Sequence, residues 1–139
     1  MTGLRGEFKS TLDSKGRMNI PVKLRDEFGA SFVITKATGA KCLKIISDPD
    51  WQALVERIKA DPETADFQRM LFGNAFDAEL DKQGRILIPD KFRKYAELTD
   101  DVVILALEGR AEIWNKANWD ELNEEPTAQY KDMAKRFGL

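Results

Sequence analysis

The chain has 139 residues, 42% hydrophobic and 33% charged, with a formal net charge of −2. That size fits one domain, or two small ones sharing a core, and no run approaches the ~18 apolar residues of a membrane span. There is no histidine, which excludes histidine-based triads, shuttles and zinc sites, and no glycine-rich phosphate loop occurs; neither an enzyme nor a cofactor site is expected.

The leader Met1-Thr2-Gly3-Leu4-Arg5-Gly6 lacks the apolar core of a signal peptide, so the chain reads as cytoplasmic. Phe8–Leu12 alternates apolar and polar residues as a half-buried strand does. Asp13-Ser14-Lys15-Gly16 has turn chemistry: Asp accepts from backbone amides ahead of it, and Gly takes the left-handed conformation. A return strand follows at Arg17–Ile20, and Pro21 suits the first turn of a helix over Val22–Phe28. Strands are predicted at Phe32–Thr35 and Cys42–Ile46. Cys42 is the one cysteine and reads as a small buried hydrophobe. Asp48-Pro49 opens a helix around Trp51–Ala60, whose apolar face is Trp51, Leu54, Val55 and Ile58.

Asp61-Pro62-Glu63-Thr64 punctuates the chain before a linking helix, Ala65–Leu71. The elements then recur: strand Phe76–Leu80, turn Asp81-Lys82-Gln83-Gly84, return strand Arg85–Ile88, and a helix over Asp90–Ala96 behind Pro89. Strands follow at Val102–Leu107 and Ala111–Trp114, with a helix opened by Asn115 or Lys116. The tail from Asn123 is polar and broken by Pro126. Its Ala128–Phe137 segment reads as a helix whose apolar face needs a partner chain.

A shift of 68 residues lays Leu12-Asp13-Ser14-Lys15-Gly16-Arg17 on Leu80-Asp81-Lys82-Gln83-Gly84-Arg85. In the same register Phe8 falls on Phe76, Ile20-Pro21 on Ile88-Pro89, Lys23 on Lys91, Arg25 on Arg93, Ile45 on Ile113, and Trp51 on Trp119. The middle strands fit better with a two-residue slip. This is a duplicated unit. Two copies are too few for a solenoid, so a half-domain folded against its twin about a pseudo-two-fold axis is expected.

Charge follows the repeat. Residues 1–25 carry six basic and two acidic side chains, and residues 80–94 five and two, which leaves −9 on the remainder. Basic turns on an acidic body suit a polyanion partner. Arg17 and Arg85 have the shape for two parallel hydrogen bonds to guanine or phosphate. Lys15 and Lys82 add phosphate attraction, and Ser14 and Gln83 could read base edges. The alternative is structural: Asp13–Arg17 and Asp81–Arg85 as ion pairs across each turn. For Asp13, Gly16, Asp81 and Gly84 the structural role is favoured. From the residues alone, Arg17 and Arg85 stay undecided. Lys23, Arg25, Lys91 and Arg93 read as a solvated helical face, and Trp51, Trp114 and Trp119 as core or interface aromatics.

At Thr11–Arg17 and Leu80–Pro89, supported by Phe67-Gln68-Arg69, Ile113-Trp114-Asn115-Lys116 and Trp119, the chain resembles the MraZ family of the broader AbrB/SpoVT class. The resemblance extends to about residue 122. It implies an α+β fold: two tandem AbrB/SpoVT-like units forming one intertwined swapped-hairpin, double-split β-α-β barrel with flanking helices. Residues 5–60 and 76–122 would be the repeats, 61–75 the link, and 123–139 a partly helical tail. The resemblance also implies a sequence-specific DNA-binding regulator, associated with the nucleoid and assembled as a homo-oligomeric ring. Its targets would be short direct repeats upstream of its own gene and the division and cell-wall cluster. Carried over, Lys15, Arg17, Lys82, Gln83 and Arg85 become the contacts to double-stranded DNA, with no metal, cofactor, membrane or small-molecule substrate. The sequence departs from the family's pattern at residues 1–5 and at Phe72-Gly73-Asn74-Ala75, where a serine is common. Two rivals are an antitoxin-type relative, against which the full second copy argues, and a ring-forming assembly protein that binds no DNA.

Overall fold

A computed structural model describes residues 3–139. Met1 and Thr2, which open the leader, lie outside the described residues. The first unit runs β1 (Arg5–Thr11), β2 (Arg17–Asn19), α1 (Val22–Phe28), β3 (Ser31–Lys36), β4 (Leu43–Ser47) and α2 (Asp48–Ala60). After the linking α3 (Ala65–Phe72), the same order returns as β5 (Ala75–Glu79), β6 (Arg85–Leu87), α4 (Asp90–Tyr95), β7 (Asp101–Leu107), β8 (Ala111–Asn115) and α5 (Lys116–Leu122), and α6 (Ala128–Arg136) closes the chain. The two-residue slip has a local cause. β7 starts 70 residues after β3 and is one residue longer, while the β3–β4 connection has six residues and the β7–β8 connection three, so the register returns to 68 at β4 and β8.

Helix boundaries follow local chemistry. Pro21 and Pro89 precede α1 and α4 with extended ψ values of 146° and 151°. Ser47 caps α2 by accepting from the Asp50 amide, with Pro49 in the first turn, and Asn115 caps α5 by accepting from Asn118.

Among the described residues eight strands form two separate sheets, and the long-range pairing crosses between units. The six-stranded sheet has the order β1-β7-β8-β4-β3-β5 and is antiparallel throughout. β1 pairs with β7 of the other unit, Phe8 opposite Ile104, and β5 pairs with β3, Phe76 opposite Ile34. At the centre β4 meets β8, with Leu43 opposite Ile113. The return strands do not form a ladder with the strands that precede them, as the turn chemistry alone would suggest: β1 and β2 meet at the Leu12–Met18 bridge, the Asp13 amide on Arg17 O and the Ser10 hydroxyl on Asn19 O. Instead β2 and β6 pair with each other, Met18 opposite Ile86, as a two-stranded ribbon. That choice lets both equivalent apolar residues, 0% and 1% exposed, enter one core.

The closed barrel implied by the resemblance is not formed. β1 and β5 are the edges of an open sheet, and the ribbon is a layer of its own. Closure requires every edge to be paired, and strands of three residues, about 10 Å long, are too short to run along both edges. One face of the sheet packs on the ribbon and on α1 and α4 through Phe32, Ile34, Leu43, Ile104, Ile113, Met18, Ile86, Leu24 and Phe92. The opposite face holds a smaller cluster of Ala37, Cys42, Val103, Leu105 and Trp114, with Trp119 of α5 against it. Cover on both faces explains why Phe32–Thr35 and Val102–Ala106 are continuously buried where a half-exposed strand would alternate. Trp51 of α2 is half-buried, edge-on to Phe72 of α3.

Candidate nucleic-acid interface

Each turn is built by one aspartate. Asp13 Oδ1 accepts from the Lys15 and Arg17 amides, and Oδ2 accepts from Arg17 Nε at 2.9 Å. Gly16 N donates to Asp13 O and holds φ at 84°, a value costly for a residue with a Cβ. The second turn repeats this. Asp81 Oδ1 accepts from the Gln83 and Arg85 amides, Oδ2 from Arg85 Nε at 3.2 Å, and Gly84 has φ 76°. Backbone hydrogen bonding from Arg17, aided by its side chain and by the Lys15 amide, holds the Asp13 carboxyl below its ordinary pKa; Asp81 is lowered in the same way by Arg85.

The ribbon register brings the two turns together. Arg17 lies opposite Leu87 and Asn19 opposite Arg85. Because strand side chains alternate, Arg17, Asn19, Arg85 and Leu87 share the face opposite to Met18 and Ile86. Arg17 and Arg85 are diagonal neighbours there, a relation that separates positions by about 7–8 Å. Arg85 Nη1 also lies 3.9 Å from Asp13 of the other turn. Each arginine is held at Nε by its own aspartate, and the two differ at the Nη atoms. Among the described residues Arg17 has no protein partner at either Nη, whereas Arg85 Nη2 donates to Gln83 Oε1. Ser14, Lys15, Lys82 and Gln83 are all exposed, so the two tips differ in what surrounds the arginine.

Two features escaped the sequence reading. Asn19 and Leu87 stand on the arginine face, Leu87 being 59% exposed; their spacing two residues beyond each arginine was the available signal. The second concerns the expected solvated helical face. Lys23 and Lys91 are exposed, but Arg25 and Arg93 are half-buried and reach the turns of the opposite unit. A Cβ at Gly84 would stand 2.5 Å from Arg25 Cζ, and one at Gly16 would stand 2.9 Å from Arg93 Cζ. Trp114 and Trp119 pack on each other at 5.7 Å within the smaller cluster, away from the ribbon. Among the described residues no acidic or thiol cluster suited to a metal is present, and no helix is long and apolar enough to cross a membrane.

The turns should be sensitive to acid. Both aspartates have folded pKa values below their unfolded ones, so their stabilisation is complete above the ordinary carboxylate range. It is lost as pH falls through the lowered values. Below about pH 4, amide exchange at Lys15, Arg17, Gln83 and Arg85 should accelerate before the sheet opens. Asp13→Asn should remove the pH dependence at Lys15 and Arg17 and leave that at Gln83 and Arg85. An exchange profile flat to the global acid transition would show that the carboxylates do not hold the turns.

Fold and site together define a duplicated α+β protein that presents two arginine-bearing turns on one short ribbon. The model of the MraZ protein family, described also as antitoxin-like, matches the chain twice, over residues 4–71 and 71–137. The chain is 41% identical over 136 residues to the transcriptional regulator MraZ of Heliobacterium modesticaldum, covering 95% of this chain and 94% of that protein. It is 40% identical to the transcriptional regulator MraZ of Pediococcus pentosaceus, covering 96% and 98%, and 39% identical to that of Moorella thermoacetica, covering 95% and 94%. The chain belongs to the MraZ family. Those curated relatives are named as regulators of transcription and not as enzymes.

Proposed function

We propose that the chain is a transcriptional regulator that binds double-stranded DNA through the outer face of the β2–β6 ribbon. The observation that carries this reading is the ribbon register, which sets Arg17 and Arg85 diagonally on one exposed face with their Nε atoms held by aspartates. A pre-oriented guanidinium with a free outer edge suits bidentate recognition of guanine or phosphate. A two-stranded ribbon is narrow enough for the major groove. Lys15 and Lys82 supply salt-sensitive phosphate attraction, Gln83 shares its amide between Arg85 and the DNA, Asn19 has the geometry for adenine, and Leu87 for a thymine methyl. Asp13, Gly16, Asp81 and Gly84 shape the turns.

The exchange of β1 and β5 between units supports the swapped-hairpin, double-split β-α-β description of the domain. Exposed apolar residues on α3 (Phe67, Met70), on α6 (Tyr130, Met133) and just after it (Phe137) support a homo-oligomer, and a ring would gain avidity from several tips on short direct repeats. The targets are the region upstream of its own gene and the division and cell-wall cluster, which places the protein in the cytoplasm, on the nucleoid. The antitoxin-like family description favours a second reading, in which a small protein partner is bound as well; such a partner would co-purify in fixed ratio.

Fluorescence anisotropy with a labelled duplex from upstream of its own gene, a shuffled duplex and a salt series tests the proposal. Specific binding should exceed shuffled binding by at least ~10³-fold and weaken linearly in log salt. Equal affinity for the two duplexes would overturn it.

A further inference from the structure

Arg25 and Arg93 hold positions that their own units' turns do not explain. Each leaves its own helix to lie against the glycine of the other unit's turn. The Arg25 guanidinium occupies the space a Cβ at Gly84 would need, with Cζ, Nη1 and Nη2 at 2.5, 2.7 and 2.8 Å from that point. Arg93 does the same at Gly16, with Cζ and Nη1 at 2.9 Å. Both glycines are buried although they sit in surface turns, and these guanidiniums lie against them. Arg25 is further fixed by donating from Nε to Ile20 O at 2.6 Å. The counterpart Arg93 Nε is buried without a partner, and its Nη2 lies 3.6 Å from Asp90. Backbone hydrogen bonds cross in the same places, Ile20 N to Gly84 O and Ile88 N to Gly16 O.

We propose that Arg25 and Arg93 are positioning residues, crossed braces that each hold the opposite unit's DNA-contacting turn. This rests on the ribbon being the DNA surface. A planar guanidinium laid flat on a glycine resists tilting of the turn in a way a lysine cannot. Because each brace starts on the helix that follows one turn and ends on the other, the tips carrying Arg17 and Arg85 are fixed relative to each other. Preserving their spacing avoids an ordering cost on binding. The two braces are unequal: Arg25 has both a glycine seat and a carbonyl partner, and Arg93 has only the seat and a distant carboxylate. The turn at Gly16, braced by Arg93, is the more mobile of the two.

The test is amide exchange by NMR on the full chain without DNA, followed by anisotropy with DNA, for Arg25→Lys, Arg93→Lys and the alanine variants. Arg25→Lys should speed exchange at Gly84 and Arg85 by about tenfold and leave Gly16 and Arg17 unchanged; Arg93→Lys should do the reverse. The lysine variants keep the charge and the helix, so the test survives if an alanine variant fails to fold. With DNA, affinity should fall about tenfold while the slope of log affinity against log salt stays the same; a slope reduced by about one would mean a lost phosphate contact and would overturn the brace. Exchange changes confined to the residue's own turn would also overturn it. If the exchange pattern crosses as stated but wild-type protein ignores the duplex, the DNA reading fails and the brace stands as a structural device.

Discussion

Replacing Arg17 and Arg85 together by alanine is expected to abolish sequence-specific DNA binding while leaving the fold in place. Each bidentate arginine contact discriminates by about 1–3 kcal/mol, so losing both should cost roughly 2–6 kcal/mol, between ~30-fold and ~10⁴-fold in affinity. The fold should survive because neither side chain enters the core, and their carboxylate pairs are solvent-accessible and so contribute little to stability. Asp13 and Asp81 keep their bonds to the turn amides in the variant. The single variants should differ. Arg17 has the free outer edge, while Arg85 must release Gln83 to bind, so Arg17→Ala should lose more. Anisotropy on the upstream duplex, with circular dichroism and sedimentation on the same samples, decides the matter. Normal binding by the double variant would place the DNA contact elsewhere. Loss of fold or assembly would make the two arginines structural.

Truncating Ile113 to alanine should produce a large loss of stability while leaving the outer face of the ribbon unaltered. Ile113 is 0% exposed and lies between Leu43 of β4 and Ile104 of β7, at the seam where the two units meet. Removal of three buried carbons in a close-packed core costs about 2–5 kcal/mol through lost transfer energy and the cavity left behind. Urea unfolding should show a lower midpoint with an unchanged slope. At low denaturant the folded fraction should bind DNA as the wild type does, because the cavity lies on the sheet and not on the tips. A loss below about 1 kcal/mol would mean that the seam repacks and that the units are joined less through this strand than through the ribbon.

Much of the secondary structure was legible because it rests on local chemistry. Pro21 and Pro89 fix where α1 and α4 begin. The spacing Trp51, Leu54, Val55, Ile58 marks the inner face of α2, which starts three residues earlier than that face suggests because Ser47 caps it. The turns were legible for the same reason: Asp13 and Asp81 shape their own turns through amides two and four residues ahead. The strands were placed within a few residues, but not their partners, since alternation states which side is apolar and not which strand lies alongside.

By itself, then, the sequence determined the duplication, the order of elements in each unit and the composition of both turns, all of which are written in short-range spacing or in self-similarity at one offset. It also assigned Arg17 and Arg85 to equivalent places. Only the tertiary structure decided that β1 and β5 exchange units, that β2 pairs with β6, and that the sheet stays open. Tertiary structure alone placed the two arginines on one face and turned Arg25 and Arg93 across the pseudo-axis. These are non-local outcomes. Two units with the same order of elements offer each strand an own-unit and an other-unit partner of similar local preference. The choice falls to whichever arrangement buries Met18, Ile86 and the equivalent apolar residues of both copies in a single core.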